Sequence, residues 1–159
     1  MTSGGSSANV TIGNASNPLT IALGASRNIT VTPSANTLTM LNIISGAGFG
    51  ITKAGAGTLT LNGANTYSGG TTINAGTIIA GNATGLGSGS LTMNGGTFRN
   101  GALGVNIANN IIIGSGGGTL SEAVGTANNF MFMGALSGAG NVTFGGGGYN
   151  ASIRLAFTS

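Results

Sequence analysis

Side chains that move protons, attack electrophiles or hold metals are almost missing from this sequence of 159 residues. There is no histidine and no cysteine, and Glu122 is the only acid, set against the four cations Arg27, Lys53, Arg99 and Arg154. Ordinary glycoside hydrolysis needs a pair of carboxylates, and no pair can be assembled. Ser-His-Asp triads and zinc sites built from His or Cys are excluded on the same count. A polysaccharide lyase would draw its base and its calcium ligands from arginine, lysine and aspartate, and aspartate is absent. The reading is a non-enzyme, with no catalytic, cofactor-binding or metal-binding residue to nominate and no cofactor.

Weaker candidates remain, each with a plainer structural explanation. The runs Gly114 to Gly118 and Gly145 to Gly148 could cradle a phosphate, but neither is followed by Lys-Ser/Thr, so corners and close backbone approach explain them better. Tyr67 and Tyr149 could stack on a sugar; an aromatic at a corner more commonly packs. Asn28-Ile29-Thr30 and Asn141-Val142-Thr143 match glycosylation acceptors, as chance provides in an Asn- and Thr-rich chain. The pairs Thr30/Thr32, Thr37/Thr39 and Thr58/Thr60 suggest an outward threonine array and, as a minor alternative, ice binding. They are not regularly repeated along the sequence, and threonine is simply favoured on exposed pleated faces. The net charge of +3 is spread over the whole chain, so no basic patch exists for nucleic acid.

Alternation and punctuation define the elements. The composition is far from ordinary, with 33 glycines and only 3% charged residues, yet 40% of residues are hydrophobic, which supplies material for burial and argues for order. In Thr58-Leu59-Thr60-Leu61 the period is two, with leucines on one face and threonines on the other. Asn62-Gly63 ends this strand, and Asn94-Gly95 follows Leu91-Thr92-Met93 in the same way, each pair tolerating positive φ. Val10-Thr11-Ile12, Leu19-Thr20-Ile21, Ile29 to Thr32, Leu38 to Leu41, Val105-Asn106-Ile107, Ile111 to Ile113, Phe130 to Met133, Val142 to Phe144 and Ile153 to Phe157 read as further short strands. No segment has helical periodicity. No apolar run approaches the roughly 18 residues of a spanning helix, and the strands are too short for a membrane barrel, so no membrane insertion is expected.

The stretch 51–99 concentrates this pattern. It reads Lys53-Ala54-Gly55-Ala56-Gly57-Thr58-Leu59-Thr60-Leu61, then Gly63-Ala64-Asn65-Thr66-Tyr67-Ser68-Gly69-Gly70-Thr71, then Ala75-Gly76-Thr77-Ile78. It resembles the autotransporter passenger-associated repeat, with Ile78 in place of the usual leucine. The resemblance implies a right-handed parallel β-helix, secreted or displayed at a bacterial surface, and implies no catalytic residue. Met1-Thr2-Ser3-Gly4-Gly5 has neither a basic start nor an apolar run, so either the chain is a piece of a longer precursor that carries the export signal elsewhere or it is not exported.

A longer repeat overlies the strands. Ser45-Gly46-Ala47-Gly48 reappears as Ser137-Gly138-Ala139-Gly140, 92 residues on, and the same offset pairs Ala35-Asn36 with Ala127-Asn128. Residues 1–67 thus resemble 93–159 around the central motif, and 1–159 reads as one solenoid domain. The expected fold is a parallel β-helix of roughly seven rungs of some 20 to 25 residues each, about 30 to 35 Å long. An antiparallel sandwich is the runner-up, because Asn-Gly turns also make hairpins.

The functional expectation is a structural or adhesive segment of a surface-displayed or secreted protein. It would act as a stalk or spacer and could offer hydroxyls and amides to a glycan, a host or a neighbouring cell. The alternative is a filament subunit that self-associates end to end, since uncapped solenoid ends expose unpaired backbone groups.

Overall fold

A computed structural model of the chain describes residues 8–17, 19–101, 105–122, 130–145 and 153–155. Within them the regular elements are strands alone. In chain order they are β1 (Asn9–Ile12), β2 (Thr20–Ala22), β3 (Arg27–Thr30), β4 (Thr37–Met40), β5 (Ile43–Ser45), β6 (Ile51–Ala54), β7 (Thr58–Leu61), β8 (Thr71–Ile73) and β9 (Thr77–Ala80). There follow β10 (Leu91–Met93), β11 (Thr97–Asn100), β12 (Ile111–Ile113), β13 (Gly118–Glu122), β14 (Phe130–Phe132), β15 (Leu136–Gly138), β16 (Val142–Gly145) and β17 (Ile153–Leu155). A glycine every few residues explains the absence of helix, since each costs about 1 kcal/mol in a helix interior.

The strands stack into a solenoid. One sheet has seven strands in the order β1-β4-β7-β9-β11-β13-β16, and a second has six in the order β15-β12-β10-β8-β6-β3. Two small sheets, β14-β17 and β2-β5, complete the set. Every strand pair among the described residues is parallel, which rules out the antiparallel sandwich. Thr58 pairs with Thr77, Thr77 with Thr97 and Thr97 with Thr119, so a coil takes 19 to 22 residues in the middle of the stack. The stack amounts to about five turns, fewer than the seven rungs expected from length alone. Coils are not of uniform length: between Asn9 and its partner Thr37 the chain advances 28 residues.

A coil has three sides. Two are the strands of the long sheets, and the third is an extended, mostly unladdered run such as 61–70 or 81–90, where burial still alternates from Leu61 through Gly63 and Asn65 to Tyr67. The expected strand at Val105 to Ile107 lies on this side and reduces to a single bridge, Ile107 to Phe132. Between the two ladder sides the corner turns on one glycine per coil. Gly76, Gly96 and Gly117 sit at φ of 70, 69 and 67 degrees, which a side chain tolerates poorly. Gly63 is glycine for another reason than the positive φ expected of an Asn-Gly pair: a Cβ there would run into the carbonyl of Asn42 in the neighbouring coil.

Period-two alternation puts in-register columns of apolar residues inside. Leu38, Leu59, Ile78, Phe98 and Leu120 form one column. Leu59, Ile78, Phe98 and Leu120 are fully buried. Each such side chain removed from water contributes roughly 1.5 to 3 kcal/mol. The rings of Phe98 and Phe132 meet at 5.9 Å and a 58° tilt.

Candidate functional surface and interior polar sites

Outward positions are dominated by threonine. Thr37, Thr58, Thr77, Thr97, Thr119 and Thr143 occupy successive strands of the seven-stranded sheet in register. Thr52, Thr72 and Thr92 do the same on the six-stranded sheet. Along the sequence the Thr-x-Thr pairs are irregular; coiling makes one threonine per coil regular, a correction that spacing along the chain could not supply. The second rank is broken: Thr39 and Thr60 are followed by Ile79 and Arg99, so the array is one residue wide beyond β7. Arg99 reaches along the surface to Ser121, its Nε donating to Oγ at 3.4 Å.

The polar chemistry lies inside, where four residues interrupt apolar columns. Thr71 points inward, against the expectation of outward threonine, and is buried. Its hydroxyl donates to the Leu86 carbonyl at 3.0 Å and accepts from the Tyr67 hydroxyl at 2.6 Å. Tyr67 is fully buried, so it packs and does not stack on a sugar. Burial pushes its hydroxyl up to about 12, with the Thr71 hydrogen bond opposing. Asn100 donates to the Val105 carbonyl at 3.2 Å. Next to it in register stands Glu122, buried, with neither carboxylate oxygen hydrogen-bonded. Lys53 is the fourth, and its amine donates to three carbonyls.

Asparagines tie the unladdered side together. Asn65 accepts from the Ile44 N–H at 2.8 Å and donates to the Gly85 carbonyl at 2.7 Å, so one side chain joins the coils before and after its own. Asn109 donates to the carbonyls of Gly87 and Gly89 at 3.0 and 2.6 Å. At the surface, asparagines of successive corners meet at one step, Asn94 Nδ2 donating to Asn74 Oδ1 at 3.2 Å. Between Asn65 and Asn109 lies a shallow depression of about 270 Å³, with Thr84 and Ser88 on its rim.

The other positions singled out in the sequence fall as follows. Gly114 to Gly118 form the corner between β12 and β13, where a Cβ on Gly116 would strike the Asn94 carbonyl, so this run makes a close corner. Residues 146–148 and Tyr149 lie outside the described residues. No group of three or more acidic, His or Cys side chains that could hold a metal occurs among the described residues. No helix among them is long and apolar enough to cross a membrane. The inward lysine was legible in Ile51-Thr52-Lys53, where Lys53 takes the parity of Ile51; the Asn65 stitch had a similar signal in Gly63-Asn65-Tyr67.

The class these features define is a parallel β-solenoid with an apolar, internally stitched interior and a nearly uncharged threonine and asparagine exterior. A family model, the passenger-associated-transport-repeat, matches residues 51–80, which span β6 to β9. The "Adhesin BmaC autotransporter" of Brucella suis biovar 1 (strain 1330) is 36% identical over 141 residues, an alignment that covers 79% of this chain and 4% of that protein. No solved structure matches. Residues 51–80 thus carry a passenger-associated-transport-repeat, and the wider chain is similar to a small part of an autotransporter adhesin.

Proposed function

We propose that this chain is a non-catalytic stretch of a surface-displayed or secreted passenger, serving as stalk or spacer. Its work is mechanical: each coil pairs its backbone with the next, so a short chain extends into a stiff rod of roughly 30 Å at the ordinary strand spacing. The observation that carries the reading is the unbroken seven-stranded parallel ladder in a chain with no histidine, no cysteine and one acid. The similarity to an autotransporter adhesin supports the surface or secreted location. Single-molecule pulling on the purified chain is expected to give stepwise release of coils, and glycan arrays and matrix proteins are expected to show no saturable binding. Saturable binding to a glycan would move the reading from spacer to adhesin.

A second reading, end-to-end self-association, draws on the exposure of apolar side chains at both ends of the stack. Val10 on β1 is 51% exposed and Leu19 beside β2 is 68% exposed, while Phe144 on β16 is 45% exposed. Val10 and Phe144 are the terminal members of the column that is closed in between. Negative-stain microscopy separates the readings: long fibres of uniform width support the subunit, and a monomer in sedimentation at high concentration rejects it.

A further inference from the structure

The interior column Ile29, Lys53, Ile73, Met93, Ile113 has one charged member. Lys53 is fully buried. Its Nζ donates to the carbonyls of Ala54 at 2.7 Å, Gly55 at 2.6 Å and Ala75 at 3.3 Å. Two acceptors belong to its own corner and the third to the corner of the next coil, so three ammonium donors meet three peptide oxygens from two coils. Gly76 leaves the space: a Cβ there would stand 2.8 Å from Nζ.

Nothing around the amine carries negative charge. On one side β3 brings Arg27, which is exposed at the surface. β7, β8 and β9 bring only threonine and apolar residues. Tyr67 has its hydroxyl committed to Thr71. Glu122, the chain's single acid, is on β13, and β9 and β11 separate that strand from β7. The charge is held by peptide dipoles alone, and an ion taken from water without a counter-ion gives up hydration that dipoles only partly replace.

We propose that Lys53 couples the folding of its coil to release of a proton, making the repeat at 51–80 weaker at neutral pH than in alkaline medium. Burial holds the amine below its ordinary 10.5. The folded chain therefore binds fewer protons than the unfolded chain between that lowered value and 10.5. Stability rises with pH across this window, and below the lowered value the lysine contributes no slope.

The test uses the 159-residue chain, in which Lys53 is the single lysine. NMR titration of the lysine Cε resonances is expected to give a midpoint below 10.5; a midpoint at or above 10.5 overturns the proposal. Urea midpoints are then compared at about pH 7 and about pH 10 for the wild type, Lys53→Met and Lys53→Arg. Relative to Lys53→Met, which cannot titrate, and Lys53→Arg, which stays charged, the wild-type midpoint is expected to rise, the opposing loss from Tyr67 being common to all three. A wild-type midpoint that does not rise relative to that of Lys53→Met overturns the coupling. The NMR readout needs no variant and stands if either fails to fold.

Discussion

At the scale of single residues, the polar side chains inside the solenoid decide its response to conditions. Tyr67 and Lys53 act in opposite directions. The buried phenol is pushed up to about 12 from 10.0, so the folded chain holds this proton more tightly than the unfolded chain does. Its contribution is complete below pH 10 and is lost as pH climbs towards about 12. Alkaline unfolding followed by circular dichroism should therefore steepen over that range, and Tyr67→Phe should remove the steepening while costing about 1 kcal/mol at neutral pH for the lost hydrogen bond. Glu122 invites the opposite kind of substitution. Its carboxylate is buried without a hydrogen bond in a column that elsewhere holds Met40 and Leu61. Glu122→Met is expected to raise stability by about 1 to 3 kcal/mol, the usual penalty of an unsatisfied buried group, as read from denaturant midpoints.

Elements in this molecule are set by corners and stitches more than by strand propensity. The corner at Gly76 combines φ of 70 degrees with carbonyls of Gly55 and Gly57 close by, whereas Gly48, at 75 degrees, has open space around it. Alanine at Gly48 should cost about 1 to 2 kcal/mol, the left-handed strain alone. At Gly76 it should cost clearly more, because a Cβ also collides with fixed backbone, and paired thermal melts of the two variants check the difference. On the unladdered side, Asn65 replaces the ladder by accepting from Ile44 and donating to Gly85. Asn65→Ala leaves both backbone groups buried and unpaired, an expected loss of about 2 to 6 kcal/mol at the ordinary cost of each orphaned group. Hydrogen exchange should show the Ile44 amide opening in that variant, while the Leu59 amide in the seven-stranded sheet stays protected.

For the whole molecule, stability is a nearest-neighbour property, because each coil touches chiefly the coils before and after it. The end strand β1 is exposed along its length, while β6 to β11 are largely closed. Native-state hydrogen exchange is accordingly expected to be slowest in β7, β9 and β11 and faster in β1, β2 and β16, and uniform protection would contradict the stacked-coil account. The same gradient underlies both functional readings. Apolar columns that end in Val10 and Phe144 are relieved by more coils of the same kind, whether from a longer polypeptide or from a second copy.

Period-two alternation in Thr58 to Leu61 and the glycine-rich corners made short half-buried strands legible in the sequence, and the resemblance over 51–99 implied that they coil in parallel. These are local facts: strand parity, φ tolerance and residue chemistry do not depend on distant partners. The tertiary structure alone decided what depends on register between coils. It lined up irregularly spaced threonines into a column, and it made Gly63 a point of contact with Asn42 instead of a positive-φ turn. It also turned Thr71 inward to Tyr67, and it made the coils unequal in length, from 19 to 28 residues. Which carbonyls surround Lys53 was likewise a matter of stacking, since one of the three comes from the next coil, 22 residues away in the chain.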